Sequence, residues 1–194
     1  MKQEHSSAIQ AAFLNEAREL AGSTEFSYYE YFTSPGYLNK KPHPVQSIIL
    51  KLMDGIELDD SAYDVKIFDH NGDHKYDLTE KQFLKMAHEE ERCNWSEQQA
   101  PVNRLNLMVG RRGGKSWLDG GFLSGAVYRF LQIENPYEKY MIDDTTDIRM
   151  GSISSSEDNA TIIFNEISSH IKNTALFQPF RYKEHTQSFD FWHP

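Results

Sequence analysis

The sequence predicts an α/β fold, a mostly parallel sheet flanked by helices and incomplete at its carboxyl end. Three observations carry that prediction. Leu105-Asn106-Leu107-Met108-Val109 reads as a buried strand that runs into a glycine-rich loop and then a long helix through Leu131. Asp147 to Ile153 reads as a second strand. Behind it, Ala160, Ile163, Phe164, Ile167 and Ile171 recur at helical spacing. Strand, loop, helix, strand, helix is the order of a parallel sheet with crossover helices.

The other elements follow in chain order. Ile9, Phe13 and Leu20, with Ala12 and Ala17, mark a first helix that ends at Gly22. Phe26, Tyr28, Tyr29, Tyr31 and Phe32 form an aromatic cluster, read as core in preference to a stacking platform for a base. Pro42 and Pro44 open a second helix with Val45, Ile48, Ile49 and Leu52 as its stripe. Val65 to Phe68 is a short strand, Asp69 to Asp77 a polar loop, and Thr79 starts a helix carrying Phe83, Leu84 and Ala87. Asn135-Pro136 breaks the helix that begins after the glycine loop. Ser154 and Glu157 have the spacing of a capping box, and Ser188 to Trp192 begins another strand. Three segments are expected: 1–53, helical and aromatic; 54–100, an acidic insertion; and 101–194, part of a nucleotide-binding core.

The chain has 194 residues and a net charge of −9, with 39% hydrophobic and 25% charged residues. That is ordinary globular composition. It argues against a generic basic nucleic-acid binder, and no apolar run reaches the ~20 residues of a membrane span. The excess acid is local. From Asp54 to Arg92 there are 12 acids and 5 bases. An anion site elsewhere is therefore compatible with the overall charge. A single cysteine, Cys93, excludes an internal disulfide and fits a reducing compartment.

The loop after Val109 reads Gly110-Arg111-Arg112-Gly113-Gly114-Lys115-Ser116. It matches the second half of the phosphate loop G-x-x-x-x-G-K-[ST]; valine occupies the place of the first glycine, and Gly110 comes one residue late. The chemistry is that of a P-loop NTPase. Glycines let backbone N–H groups converge on phosphate oxygens, and the following helix aims its positive end at them. Lys115 would reach the β- and γ-phosphates of ATP, and the Ser116 hydroxyl would be a Mg²⁺ ligand. Arg111 or Arg112 would meet charge on the γ-phosphate. Gly120, Gly121 and Gly125 each cost a helix about 1 kcal/mol relative to alanine, which points to a helix pressed tightly against its sheet.

Other patterns compete. Asp69, Asn71, Asp73, Asp77 and Glu80 occupy positions 1, 3, 5, 9 and 12 of an EF-hand loop, but position 6 is His74 where glycine is required. The alternative is a solvated acidic hairpin or loop. His70, His74, His88 and Cys93 have zinc-like spacing without a supporting C-x-x-C pair. Cys93 stands beside Arg92 with no evident base, so a nucleophilic role has little support. Glu89-Glu90-Glu91 reads as a solvated helix end.

The string LMVGRRGGKSWLDGGFLSGAVYRFLQIENPYEKY resembles the ATPase domain of the large terminase subunit of tailed bacteriophages, as does IRMGSISSSEDNATIIFNEI. Lys41-Pro42-His43-Pro44-Val45-Gln46, followed by Ile48 to Lys51, is similar to that family's adenine-recognition motif, with Gln46 as the base-reading glutamine; an exposed helix residue is the alternative. Glu91 to Asn94 is more weakly similar. The likeness runs from about Tyr28 to Phe180. It implies an ATP-driven motor that translocates double-stranded DNA into a procapsid. The implied partners are the small terminase subunit and the portal, and the implied state is a homo-oligomer in the host cytoplasm. Arg111 would be the cis-acting arginine, with Arg112 second. The hydrophobic strand ending in Asp-Glu, needed for hydrolysis, has no counterpart here; Tyr140-Met141-Ile142-Asp143-Asp144 is the nearest imitation. The coupling motif and nuclease domain are missing too. The expectation is therefore an amino-terminal piece of such a motor, with little hydrolysis of its own. A helicase-like ATPase and a calcium-binding module without catalysis are the rival readings.

Overall fold

The computed structural model describes residues 26–93, 113–145, 147–151 and 156–192. They divide between two compact units: one holds Phe26, Glu30–Lys40 and the stretch after 112, the other Ser27–Tyr29 and residues 41–93. A short helix, α1, spans Tyr28–Thr33.

In the second unit, α2 (Pro44–Asp54) is followed by strands β1 (Val65–Phe68) and β2 (His74–Leu78) and by α3 (Glu80–Glu89). The two strands pair antiparallel, Val65 opposite Leu78. Residues expected as loop, His74 to Asp77, are thus the return strand of a hairpin. Polar residues suffice there because the strand's side chains are mostly exposed. Ile48, Leu58, Val65 and Leu84 form the core, with Val45, Leu52, Phe83 and Cys93 packed against it. On α2 it is Leu50 rather than Ile49 that is fully buried. Thr79 caps α3: its hydroxyl accepts from the Gln82 N–H, and the Gln82 side chain accepts from the Thr79 N–H, both at 3.2 Å.

In the first unit, α4 (Lys115–Leu131) packs along α6 (Glu157–Asn173), with a short helix α5 (Pro136–Tyr140) between them in sequence. The glycines of α4 serve this helix pair. A β-carbon added to Gly120 would stand 2.7 Å from Glu166 Cβ. The close neighbour is thus a helix where the sequence suggested a sheet. Asn135 does more than break the chain, for its side chain accepts from the Glu138 N–H and caps α5. The cap of α6 is Ser156, which accepts from the Asn159 N–H; Ser154 lies outside the described residues. Of the predicted stripe, Ile167 and Ile171 are buried and Ala160, Ile163 and Phe164 half-buried. A short 3₁₀ turn (Ala175–Phe177) leads to β3 (Arg181–Glu184) and β4 (Phe189–Trp192), an antiparallel pair with Tyr182 opposite Phe191.

Aromatic rings fill this unit's core. Phe26, Tyr31, Phe32, Tyr37, Tyr128 and Phe177 are all buried. Phe26 stacks on Tyr31 at 5.2 Å, and Tyr128 meets Phe177 edge-on at 5.7 Å.

The parallel sheet expected from the sequence is not seen among the described residues, whose two sheets are both two-stranded and antiparallel. Leu105 to Val109 lies outside them, as does the helix expected at Ile9 to Leu20. Of the second predicted strand, residues 147–151 are described; they are largely exposed and belong to neither of the two sheets among the described residues. Asp147 and Arg149 pair with each other at the surface.

Candidate nucleotide site

The described part of the glycine loop is Gly113 to Ser116. Gly114 is the N-cap of α4 with φ 75° and ψ 21°, a left-handed conformation that favours glycine. No side chain caps this helix. Its first internal bond is Leu118 N–H to the Gly114 carbonyl, at 3.0 Å, so the amides of Lys115, Ser116 and Trp117 are not used within the helix. Seventeen aligned peptide units place a partial positive charge at this end. The Lys115 side chain is exposed and Ser116 half-buried, while Leu118 anchors the turn in the core. Trp117 packs against Phe32, ring centroids 4.7 Å apart. This end of α4 therefore combines convergent N–H donors, an ammonium and a hydroxyl, a donor set that fits a polyphosphate and its Mg²⁺. Partial burial pushes the carboxyl of Asp119, one turn on, above its usual range, and Lys115 opposes that shift. Gly110, Arg111 and Arg112 lie outside the described residues.

Gln46 occupies the first turn of α2. Its side-chain oxygen accepts from the His43 N–H at 2.8 Å and closes a capping box. This bond gives the glutamine a structural task that its motif did not reveal. Of the aromatic cluster, Phe26, Tyr31 and Phe32 are core, as preferred over base stacking; Tyr28 and Tyr29 are half-buried.

The EF-hand reading does not survive the geometry. Glu80, the twelfth position, turns away from the loop: its carboxylate accepts from Lys51 Nζ at 2.7 Å and from the Asp59 N–H at 2.8 Å. Asp69, the first position, binds the Asn71 and Asp73 amides at 2.8 and 2.9 Å. With His74 at the required glycine, the chain forms a hairpin. Among the described residues no group of three or more His, Cys, Asp or Glu is arranged to hold a metal ion. The zinc-like set is equally dispersed; His88 Nδ1 meets the Cys93 carbonyl at 3.0 Å. Burial pushes the Cys93 thiol up, the reverse of an activated nucleophile. Glu90 and Glu91 follow the end of α3 and are exposed, as read.

The imitation of the acidic motif is no strand either. Tyr140 ends α5, Met141 is 93% exposed, and Asp143 accepts from the Thr145 N–H at 2.9 Å in a local turn. That bond and a second from the Thr145 hydroxyl, at 2.7 Å, hold the Asp143 carboxyl below its usual range.

The sequence reading missed one polar cluster. Tyr31 Oη lies 3.1 Å from Ser124 Oγ, which lies 3.2 Å from His170 Nδ1. All three residues are buried. No local pattern announces them, because they stand 93 and 46 residues apart in the chain.

Gly114, Lys115 and Ser116 at the head of α4 are the second half of the P-loop pattern, placed where that pattern meets its helix. The sequence matches, over residues 19–191, the family described as "Uncharacterized protein MJ0330, N-terminal P-loop domain", and the chain belongs to that family. No curated protein and no solved structure matched it. P-loop domains as a class bind nucleoside triphosphate with Mg²⁺. No helix among the described residues is long and apolar enough to cross a membrane.

Proposed function

We propose that the chain is the ATP-binding part of a DNA-translocating motor of the terminase large-subunit kind. The observation that carries the reading is Gly114 in its left-handed conformation at the head of α4, with Lys115 and Ser116 immediately after it. The V-G-R-R-G-G-K-S loop and the upstream Gln46 motif favour a terminase over other P-loop proteins. Lys115 would neutralise the β- and γ-phosphates, and the first-turn amides would fix their position. Ser116 would hold Mg²⁺, which neutralises charge on the phosphates when bound. Arg111, with Arg112 second, would meet the charge that develops on the transferred group. Gln46 would present its amide to adenine only by giving up the cap on α2. Double-stranded DNA, a small terminase subunit and a portal are the partners this reading assigns, with a ring of copies acting in the host cytoplasm.

Two measurements test it. ATP turnover by this chain, with and without double-stranded DNA, is expected near background while Mg-ATP binding is retained, because no Asp-Glu strand is available among the described residues to support hydrolysis. Robust turnover would mean that the catalytic carboxylate lies in this chain. The coding sequence after Pro194 separates a terminase from a helicase-like ATPase: the terminase reading requires an Asp-Glu strand followed by a nuclease with clustered carboxylates.

A further inference from the structure

Phe32 touches α4 close to the turn that opens it. Its ring meets Trp117 edge-on, centroids 4.7 Å apart, and its Cζ fills the space over Gly121. Trp117 and Gly121 are four residues apart and share one face of the helix. A single ring therefore spans the first and second turns on that face. On the adjoining face Glu166 of α6 stands against Gly120, where an added β-carbon would be 2.7 Å from its Cβ. The head of α4 is held between the two. Phe32 is itself anchored: it is fully buried, and its carbonyl accepts from the Lys40 N–H at 2.7 Å, which closes the turn through Ser34-Pro35-Gly36.

We propose that Phe32, on the reading of this turn as a nucleotide site, is a positioning residue for its amides and acts through Trp117. Trp117 follows Ser116 directly, and its N–H is one of the three that the helix leaves unused. Such donors hold a polyphosphate only while they converge on it, and a shift of about 1 Å is enough to spoil that geometry. No side chain caps α4. The first turn therefore takes its position from packing: Leu118 is sunk in the core, and Trp117 rests on Phe32. Leucine at position 32 would shorten the reach of the ring, part Trp117 from its support and leave slack over Gly121. Lys115 and Ser116 would keep their chemistry and lose their placement.

The test is the affinity of the full chain for Mg-ATP, measured by calorimetry in the parent, Phe32→Leu, Trp117→Ala, the double variant and Leu131→Ala. Leu131 is buried in the same helix, about 20 Å further along its axis. Phe32→Leu and Trp117→Ala are each expected to weaken binding roughly tenfold or more. The double variant is expected to bind no worse than the weaker single, because both changes break one contact. Leu131→Ala lowers the urea midpoint and leaves the affinity unchanged. Should Phe32→Leu fail to fold, Trp117→Ala, which alters a half-buried side chain, decides alone. Parental affinity in either single variant, losses that add in the double, or an equal loss in Leu131→Ala overturns the proposal. A parent that binds no Mg-ATP, or binds it no better than Lys115→Ala does, overturns the nucleotide reading itself and the proposal with it.

Discussion

The ring of Phe32 occupies the space a side chain on Gly121 would need: an added β-carbon would lie 2.0 Å from Phe32 Cζ. Phe32 is fully buried and also touches Trp117 and Phe122, so it has little room to retreat. Gly121→Ala is therefore expected to destabilise the first unit by roughly 1–3 kcal/mol through overpacking. Alanine's helix preference, about 1 kcal/mol, acts in the opposite direction. Urea unfolding checks it. A variant as stable as the parent would show that the α1 segment does not rest on α4 as described.

Glu80 anchors the second unit. Its carboxylate pairs with Lys51, the two side chains being 10% and 13% exposed, and also accepts from the Asp59 amide. Glu80→Gln should lower stability by roughly 1.5–3 kcal/mol, the range for hydrogen bonds to charged groups. Neither Ca²⁺ nor a chelator should alter the melting temperature of the parent. A Ca²⁺-dependent rise that disappears in Glu80→Gln would restore the calcium-binding alternative.

Gln46 separates capping from base recognition. Gln46→Ala removes half of a capping box and should cost about 0.5–1.5 kcal/mol of stability, the range for one hydrogen bond. If Gln46 also reads adenine, the same variant loses its preference for ATP over GTP. Calorimetric titration with both nucleotides, run beside thermal melts, distinguishes the two outcomes. A stability loss with unchanged nucleotide preference leaves Gln46 as a cap alone.

Stability should depend on pH through His170. Its folded-state value lies below the ordinary 6.5 because the ring is buried, so the unfolded chain binds the proton more readily. The stabilisation is complete above about pH 6.5 and declines as pH falls through the lower folded value. Denaturant midpoints measured from pH 8 to pH 5 should fall in the parent and change less in His170→Gln. Equal slopes would remove His170 from the account.

Local features were legible in the sequence. The helices at Pro44, Glu80, Lys115 and Glu157 followed from periodicity and from breakers such as Pro44 and Asn135. Phe26, Tyr31 and Phe32 were correctly preferred as core. What escaped the sequence depends on tertiary context. The segment from Asp69 to Glu80 carries nearly a full set of calcium ligands, yet Lys51, 29 residues away from Glu80 in sequence, claims the last of them. The strand β3 was missed because Arg181, Lys183 and Glu184 are charged; only pairing with β4 and packing of Tyr182 on Phe189 and Phe191 make it a strand. Of the candidate site, the start of the helix after Gly114 was legible, because glycine there ends the loop. The contact of His170 with Ser124 was not, since it exists only once α6 folds back on α4.

The most direct test of the central claim is calorimetric titration of Mg-ATP into the parent and into Lys115→Ala. The account predicts saturable binding in the parent, weakened roughly tenfold or more in the variant, a loss of at least about 1.4 kcal/mol. Far-UV circular dichroism should be unchanged, because Lys115 is exposed. Equal affinity in both proteins, or no nucleotide binding by the parent, would contradict it.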